Sequence, residues 1–200
     1  MIGCGGLGGY IIEMLARLGV GEITVVDNDI FDKTNLNRQV LSDEDNIGQR
    51  KAFAAKEKIG KINSEVRINA VVEFLNESNA ERILKDHQVI VDALDNIPSR
   101  LILQSTSRLL DLPMVHGAIA GWYGQVSTIF PEDNTLNKIY GKHDTMVIEK
   151  ELGNPSFTPA LVSSIQVSEV VKILLGRGDL LRNKLLYIDL LNMDFEILDL

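Results

Sequence analysis

Hydrophobic positions along the chain follow two alternating periods. Met1 and Ile2 lead into Gly3-Cys4-Gly5-Gly6-Leu7-Gly8, after which Ile11, Ile12, Leu15 and Leu18 recur at helical spacing. A β-branched run, Ile23-Thr24-Val25-Val26, follows and closes on Asp27. Polar residues fill 28–46, and the helical period returns over 47–62 with Ala52, Ala55, Ile59 and Ile62 on one face. A strand is predicted over 66–71 and a short helix over 77–85. Val89-Ile90-Val91-Asp92-Ala93 is the unbroken apolar run of a strand covered on both sides. A helix over 97–110 and a strand over 114–118 complete the series. Strands alternating with helices predict an α/β, Rossmann-like doubly wound sheet with parallel strands.

From Trp122 the pattern changes. Residues 124–130 read as a strand and 131–155 as a long polar loop. Thr158 suits a helix N-cap, with Pro159 at the first helical position. The helix runs on through Val162, Ile165, Val170 and Ile173 to Leu175 and stops at Gly176. Residues 184–191 and 194–200 read as strands around a tight turn, so the sheet is expected to be parallel first and antiparallel at its C-terminal end. A Rossmann unit opens with a strand of about five residues before its glycine turn. Only two residues precede Gly3, so either that strand is nearly missing or the chain is a shortened form of a longer parent.

Composition narrows the class without naming a chemistry. Two hundred residues, 45% apolar and without a biased tract, fit one domain over 1–200. A net charge of −8 with no Lys/Arg cluster does not point to nucleic acid as the partner. No apolar run is read as long enough to span a bilayer, and the glycine turn replaces a signal peptide, so no membrane is expected. One cysteine and no disulfide pair point to a reducing cytoplasm.

Chemistry gathers in three places. The G-x-G-x-x-G turn opens a helix and is followed nineteen residues later by Asp27. That is the fingerprint of a nucleotide-binding βαβ unit, in which backbone N–H groups approach phosphates and the acid receives a ribose hydroxyl. The polar loop carries Asn35-Leu36-Asn37-Arg38-Gln39 and then Gly48-Gln49-Arg50-Lys51. Asp92-Ala93-Leu94-Asp95-Asn96 ends the buried strand, with Arg100 one helical turn on. Singly, each such residue reads as solvated or salt-bridged. Beside a glycine loop they make the parts of a nucleoside-triphosphate site, with cations for phosphate and a carboxylate for Mg²⁺.

Gly-x-Gly-Gly-Leu-Gly, Asp27 closing its strand, Asn-Leu-x-Arg-Gln, Gly-x-x-Lys and Asp-x-x-Asp-Asn stand in one order across nearly the whole chain. In that order and spacing the chain resembles the ThiF/MoeB/HesA family, bacterial relatives of the ubiquitin-activating enzymes. The resemblance implies an adenylyltransferase that uses ATP and Mg²⁺ on the C-terminal glycine of a small ubiquitin-like carrier protein, releasing pyrophosphate. It further implies a homodimer. Carried over by motif position, Gly5, Gly6 and Gly8 form the phosphate-facing loop and Asp27 binds the ribose. Asn35 and Arg38 contact phosphates, Lys51 bridges them, and Asp95 holds Mg²⁺ with Asn96 beside it. Arg38, Lys51 and Asp95 are the expected catalytic set.

Departures from the family shape the expectation. Many relatives bind a structural zinc through two Cys-x-x-Cys pairs; this chain has none, so zinc is not expected. Many carry a reactive cysteine in or near the 131–155 region; none occurs there. Cys4, the single thiol, reads as a small buried residue of the glycine turn. Relatives also place an arginine upstream of that turn, which no residue here is expected to supply. His87, His116 and His143 lack metal-ligand spacing and read as non-catalytic. Trp122 and Tyr123 read as packing residues, and Lys138, Lys142 and Lys150 as solvated. A nicotinamide-dependent dehydrogenase would share Asp27 and the glycine turn but leaves Arg38, Lys51 and Asp95 unexplained. A tRNA-modifying dehydratase of the same family and an inactive binding module stay open as well.

Overall fold

The computed structural model describes residues 1–141 and 153–200. Helix α1 (Gly6–Arg17) leads to β1 (Glu22–Val26), α2 (Lys51–Ile62), β2 (Arg67–Val71), α3 (Ala80–Leu84), β3 (Ile90–Asp92) and α4 (Ile97–Leu110). The chain continues through β4 (Met114–Ala120), β5 (Tyr123–Ile129), α5 (Thr135–Tyr140), α6 (Phe157–Leu175), β6 (Lys184–Asp189) and β7 (Asp194–Asp199). β1 pairs with β2 and β3 with β4 in parallel, whereas β4-β5-β6-β7 are antiparallel.

Residues 1–3 join the two halves. Ile2 bridges Val26 on one side and Asp92 on the other, both in parallel. The amide of Ile2 donates to the Val91 carbonyl, Gly3 to Val26, and Ala93 back to Ile2. Residues 1–3 thus take the central place of the first strand, between β1 and β3. That position is the topological switch point, where the chain leaves toward β1 on one side and returns through β3 on the other.

Helices cover both faces because the strands bury residues on both. Ile23 and Val25 of β1 join Ile11, Ile12, Leu15, Ala55 and Ile59 under α1, α2 and α6. Val26 and Ile90 point the other way, into Ile83, Leu103, Met114 and Leu136 under α3, α4 and α5. By length and composition α6 is apolar enough to cross a bilayer, which corrects the expectation that no such run exists. It lies against α1, β4 and β5, and seats buried Gln166 and Glu169 among Val162, Val167 and Val170. Mixed polar burial of this kind belongs to a helix packed in a protein core.

Several boundaries differ from the pattern for identifiable reasons. The helix expected from residue 47 starts at Lys51, because Gly48 takes φ +87° and Arg50 is extended. Leu18, expected on the buried face of α1, is its exposed C-cap residue. α3 is shorter than 77–85, since the Asn76 and Asn79 side chains bind neighbouring backbone and form turns. α5 stands where a loop was predicted, tied down by fully buried Leu136, whose N–H donates to Gln104 Oε1 at 2.7 Å. Ser156, not Thr158, is the N-cap of α6. Thr158 lies inside the first turn, donating its hydroxyl to the Gly121 carbonyl at 2.8 Å.

Candidate functional site

A cleft of about 440 Å³ opens at the carboxyl ends of β1 and β3, over the glycine turn. Two glycines of the turn have structural causes. Gly3 takes φ +95°, and a Cβ there would stand 2.6 Å from the Ala93 carbonyl oxygen. A Cβ on Gly8 would come 2.0 Å from the Gly3 carbonyl oxygen, so Gly8 lets α1 pack against the turn. Gly5 and Gly6 line the cleft and have no such cause. Among the described residues a Cβ on Gly5 would meet the Gln39 carboxamide at 3.7 Å, and the nearest atoms to one on Gly6 would be those of Pro159 and Arg38 at 3.7–4.0 Å. The room they leave belongs to whatever enters the cleft.

Asp27 braces the turn. Its Oδ2 accepts the Cys4 amide at 2.7 Å and its Oδ1 the Asp29 amide at 2.8 Å. Both oxygens keep a lone pair for a further donor. Cys4 itself is fully buried, and burial together with the Asp27 charge pushes its thiol pKa far up. A thiol held protonated in that way is a packing group.

The cationic side of the cleft comes from the loop after β1. Asn35 Oδ1 accepts the Asp32 amide at 3.1 Å, and Asp32 Oδ1 accepts from Thr34, closing a capping box around a 3₁₀ turn. The Asn35 carbonyl then accepts from the Arg38 and Gln39 amides. Arg38 Nη1 donates to the Thr34 carbonyl and to Asn37 Oδ1, leaving its other N–H groups for the cleft. Lys51 opens α2, 6% exposed, with Nζ 2.5 Å from Asp29 Oδ2 and 6.0 Å from the centre of the Phe31 ring. Partial burial raises the Asp29 pKa, but the hydrogen bonds from Lys51 and the Ile30 amide, together with the charges of Lys51 and Arg50, outweigh it and hold the carboxyl below its usual range. Asp29 therefore serves as the resident counter-ion of Lys51, a role nothing in the motif spacing marked.

The opposite wall is the turn after β3. Asp95 is exposed, with one contact to Asn96 Nδ2 at 3.3 Å. Asn96 caps α4 by accepting the Ser99 amide at 2.9 Å. Among the described residues no three His, Cys, Asp or Glu side chains converge as a metal cage. A lone carboxylate fits Mg²⁺ that is carried mainly by phosphates, since such an ion takes one or two protein carboxylates and completes its octahedron with phosphate oxygens and water.

Seven of the nine residues expected at the site line this one cleft: Gly5, Gly6, Asp27, Arg38, Lys51, Asp95 and Asn96. Gly8 lies in the first turn of α1, and Asn35 sits beneath the Arg38 loop; neither lines the cleft. The cleft also takes in Gln39 and Arg100, which the sequence places in the chemical clusters without a role of their own, and Glu73 and Phe74, which it does not single out. Gln39 Oε1 is buried without a partner among the described residues. Of the histidines, His87 links Thr24 Oγ1 to the α3 end, and His116 is buried behind the cleft. Trp122 stacks obliquely on Phe157 at 4.6 Å, and Tyr123 on Tyr187 at 6.3 Å. Lys138 is exposed, whereas Lys142, His143 and Lys150 lie outside the described residues.

The sequence model of the ThiF family matches residues 1–200. The chain is 35% identical over 199 residues to the SAMP-activating enzyme E1 of Haloferax volcanii, covering 98% of this chain and 74% of that one. It is 34% identical over 206 residues to the sulfur carrier protein adenylyltransferase of Thermus thermophilus, covering 98% and 75%. Among solved structures, E. coli MccB with ATP superposes at a TM-score of 0.83 with 20% identity. That likeness, of fold alone, covers 99% of this chain and 62% of the MccB chain.

Proposed function

The chain belongs to the ThiF family, and from that premise we propose that it adenylates the C-terminal glycine of a small ubiquitin-like sulfur-carrier protein. A carboxylate oxygen of the carrier attacks the α-phosphorus of ATP. The bond from that phosphorus to the bridging oxygen breaks, and the electron pair leaves with pyrophosphate. No proton moves. The difficulty is the approach of one anion to another, so positioned cations matter more than an acid or base.

One observation carries this reading: Arg38 and Lys51 from one wall and Asp95 from the other face the space left by Gly5 and Gly6. Asp27 takes the ribose, and Arg38 and Lys51 take the phosphates. Lys51 leaves Asp29 for the charge that builds on the departing pyrophosphate. Mg²⁺, held by Asp95, neutralises phosphate charge when bound. Asn35 acts one step back, by fixing the loop that presents Arg38.

Calorimetric titration separates this from a dehydrogenase. ATP with Mg²⁺ should bind at least about tenfold more tightly than NAD, because only the triphosphate engages Arg38, Lys51 and Asp95 together. Tighter binding of NAD would sink the adenylation reading.

We also propose a homodimer. β7 is exposed throughout, Ile197 included, and Met193 just before it and Leu175 at the end of α6 are exposed apolar residues. Light scattering at micromolar concentration should give about twice the 22.2 kDa chain mass; a monomer mass alone would refute it.

A further inference from the structure

Behind the cleft lies a connected set of buried polar side chains to which the phosphate chemistry gives no part. Asp92 and His116 are fully buried, and Arg100 is 4% exposed. Asp92 ends β3 and opens the turn that carries Asp95. Its Oδ1 accepts the Leu94 amide at 2.9 Å, and its Oδ2 lies 2.7 Å from His116 Nδ1. Arg100 Nε stands 3.7 Å from that same Oδ2 and has no hydrogen-bond partner among the described residues. Arg100 instead donates Nη2–H to the Leu94 carbonyl at 2.5 Å and Nη1–H to the Tyr140 hydroxyl at 3.1 Å.

The partners fix where the protons are. His116 Nδ1 faces a carboxylate and so carries its hydrogen. Burial lowers the imidazole pKa by more than Asp92 raises it, so the ring is neutral and Nε2 is an acceptor. The Tyr140 hydroxyl lies 3.1 Å from Nε2 and already accepts from Arg100 and from Gln125 Nε2 at 2.7 Å. The Tyr140 hydroxyl can donate to Nε2, beside which Gln125 Nε2 also stands at 3.2 Å. Donation runs toward Asp92: from Arg100 and Gln125 to Tyr140, from the Tyr140 hydroxyl and the Gln125 amide beside it to His116 Nε2, and from His116 Nδ1 to Asp92.

This direction of donation decides how the turn above is held. A buried carboxylate and guanidinium left to themselves close into a short, often bidentate pair. Here His116 occupies Oδ2, and Arg100 remains on the Leu94 carbonyl. The turn is then pinned at the Ala93 amide by Ile2, at both polar groups of Leu94, and at Asn96 by its cap on Ser99. Asp95 at the crest is left facing the cleft.

We propose that His116 is a positioning residue for Asp95: acting through Asp92, and oriented by Tyr140, it fixes the turn so that the Asp95 carboxylate is presented to the Mg²⁺ of bound ATP. This rests on the assignment of Asp95 made under the proposed function. Nothing in the spacing of His116 from the glycine turn announces it; the link is the pairing of β3 with β4, which sets Asp92 opposite His116.

The test is calorimetric titration of ATP in excess Mg²⁺ and again in EDTA, on the parent and on His116→Asn, His116→Phe and Tyr140→Phe. Asparagine retains an N–H near the Nδ1 position; phenylalanine keeps a ring but donates nothing. All three variants should bind ATP in EDTA within about twofold of the parent. The gain in affinity on adding Mg²⁺ should survive in His116→Asn and fall by about tenfold in His116→Phe. Tyr140→Phe should fall between them, and it carries the test alone if His116→Phe does not fold. Mn²⁺ in place of Mg²⁺, read by electron paramagnetic resonance, should give the same order. An undiminished gain in the Phe variants, or an equal loss with and without the ion, would overturn the proposal. A parent protein with no Mg²⁺-dependent gain would remove the Asp95 assignment first and this inference with it.

Discussion

Arg38→Ala, Lys51→Ala and Asp95→Ala should each lower carrier-dependent ATP–pyrophosphate exchange by about 10²-fold or more, equivalent to about 2.7 kcal/mol of transition-state stabilisation. Each opposes charge that moves during the reaction. Arg38 and Lys51 line the cleft from the β1 side, where phosphates are proposed to bind, and Lys51 does so from a site that is 6% exposed and poorly screened. Asp95 lines the opposite wall of the cleft, where in the proposed mechanism it would hold Mg²⁺. The fall should appear mainly in kcat where the contact strengthens at the transition state, and mainly in KM where it serves binding alone. Cys4→Ala should leave exchange nearly intact, because a buried thiol whose pKa is pushed far up takes no part in attack. Melting temperatures of the same proteins separate lost chemistry from lost fold. Undiminished exchange in Asp95→Ala, or its abolition in a folded Cys4→Ala, would break this division of labour.

The cleft was legible where chemistry is written in spacing. Asp27 and Asp95 sit just beyond the carboxyl ends of β1 and β3, Lys51 starts α2 and Arg38 lies in the loop between β1 and α2, and strand order brings these positions together at the switch point. Position along the chain does not say whether a side chain faces the ligand or holds the loop beneath it. Asn35 is of the second kind, its carboxamide closing a capping box. Thr158 misled for a related reason. A hydroxyl before a proline reads as an N-cap, and here it serves the β4–β5 turn from inside the helix. α5 was missed because six residues give too short a period to read, and its anchor, Gln104, is more than thirty residues away. His116 lay in an apolar strand and looked like core, which it is; its partnership with Asp92 exists only across the sheet. What escaped was the long-range support of the site and part of its lining, Asp29, Glu73 and Phe74 among it, while the motif positions that line the cleft were visible in their spacing.

The glycines allow that separation to be tested in a single turn of chain. Gly8→Ala should abolish or severely lower folding stability, by about 3 kcal/mol or more. Its Cβ would be placed 2.0 Å from the Gly3 carbonyl oxygen, and that atom cannot retreat. Gly3 is held by the Val26 carbonyl, at a φ of +95° with Ala93 close on its other side. Relief would require α1 to lift from the turn, and α1 carries Leu7, Ile11, Ile12 and Leu15 of the core. Gly5→Ala should behave in the opposite way. Its added methyl meets only the Gln39 carboxamide at an ordinary 3.7 Å, so the melting temperature should stay close to the parent's. The methyl would nonetheless stand where a phosphate must approach backbone N–H groups, and ATP affinity should fall at least about tenfold. Thermal unfolding and ATP titration on the two variants decide the matter. If Gly5→Ala unfolds while binding is kept, or Gly8→Ala is as stable as the parent, then the turn has been divided wrongly between packing and ligand. A loss of binding confined to Gly5→Ala would mean that the space over Gly5 is the phosphate's, because no atom of the described residues requires it to be empty.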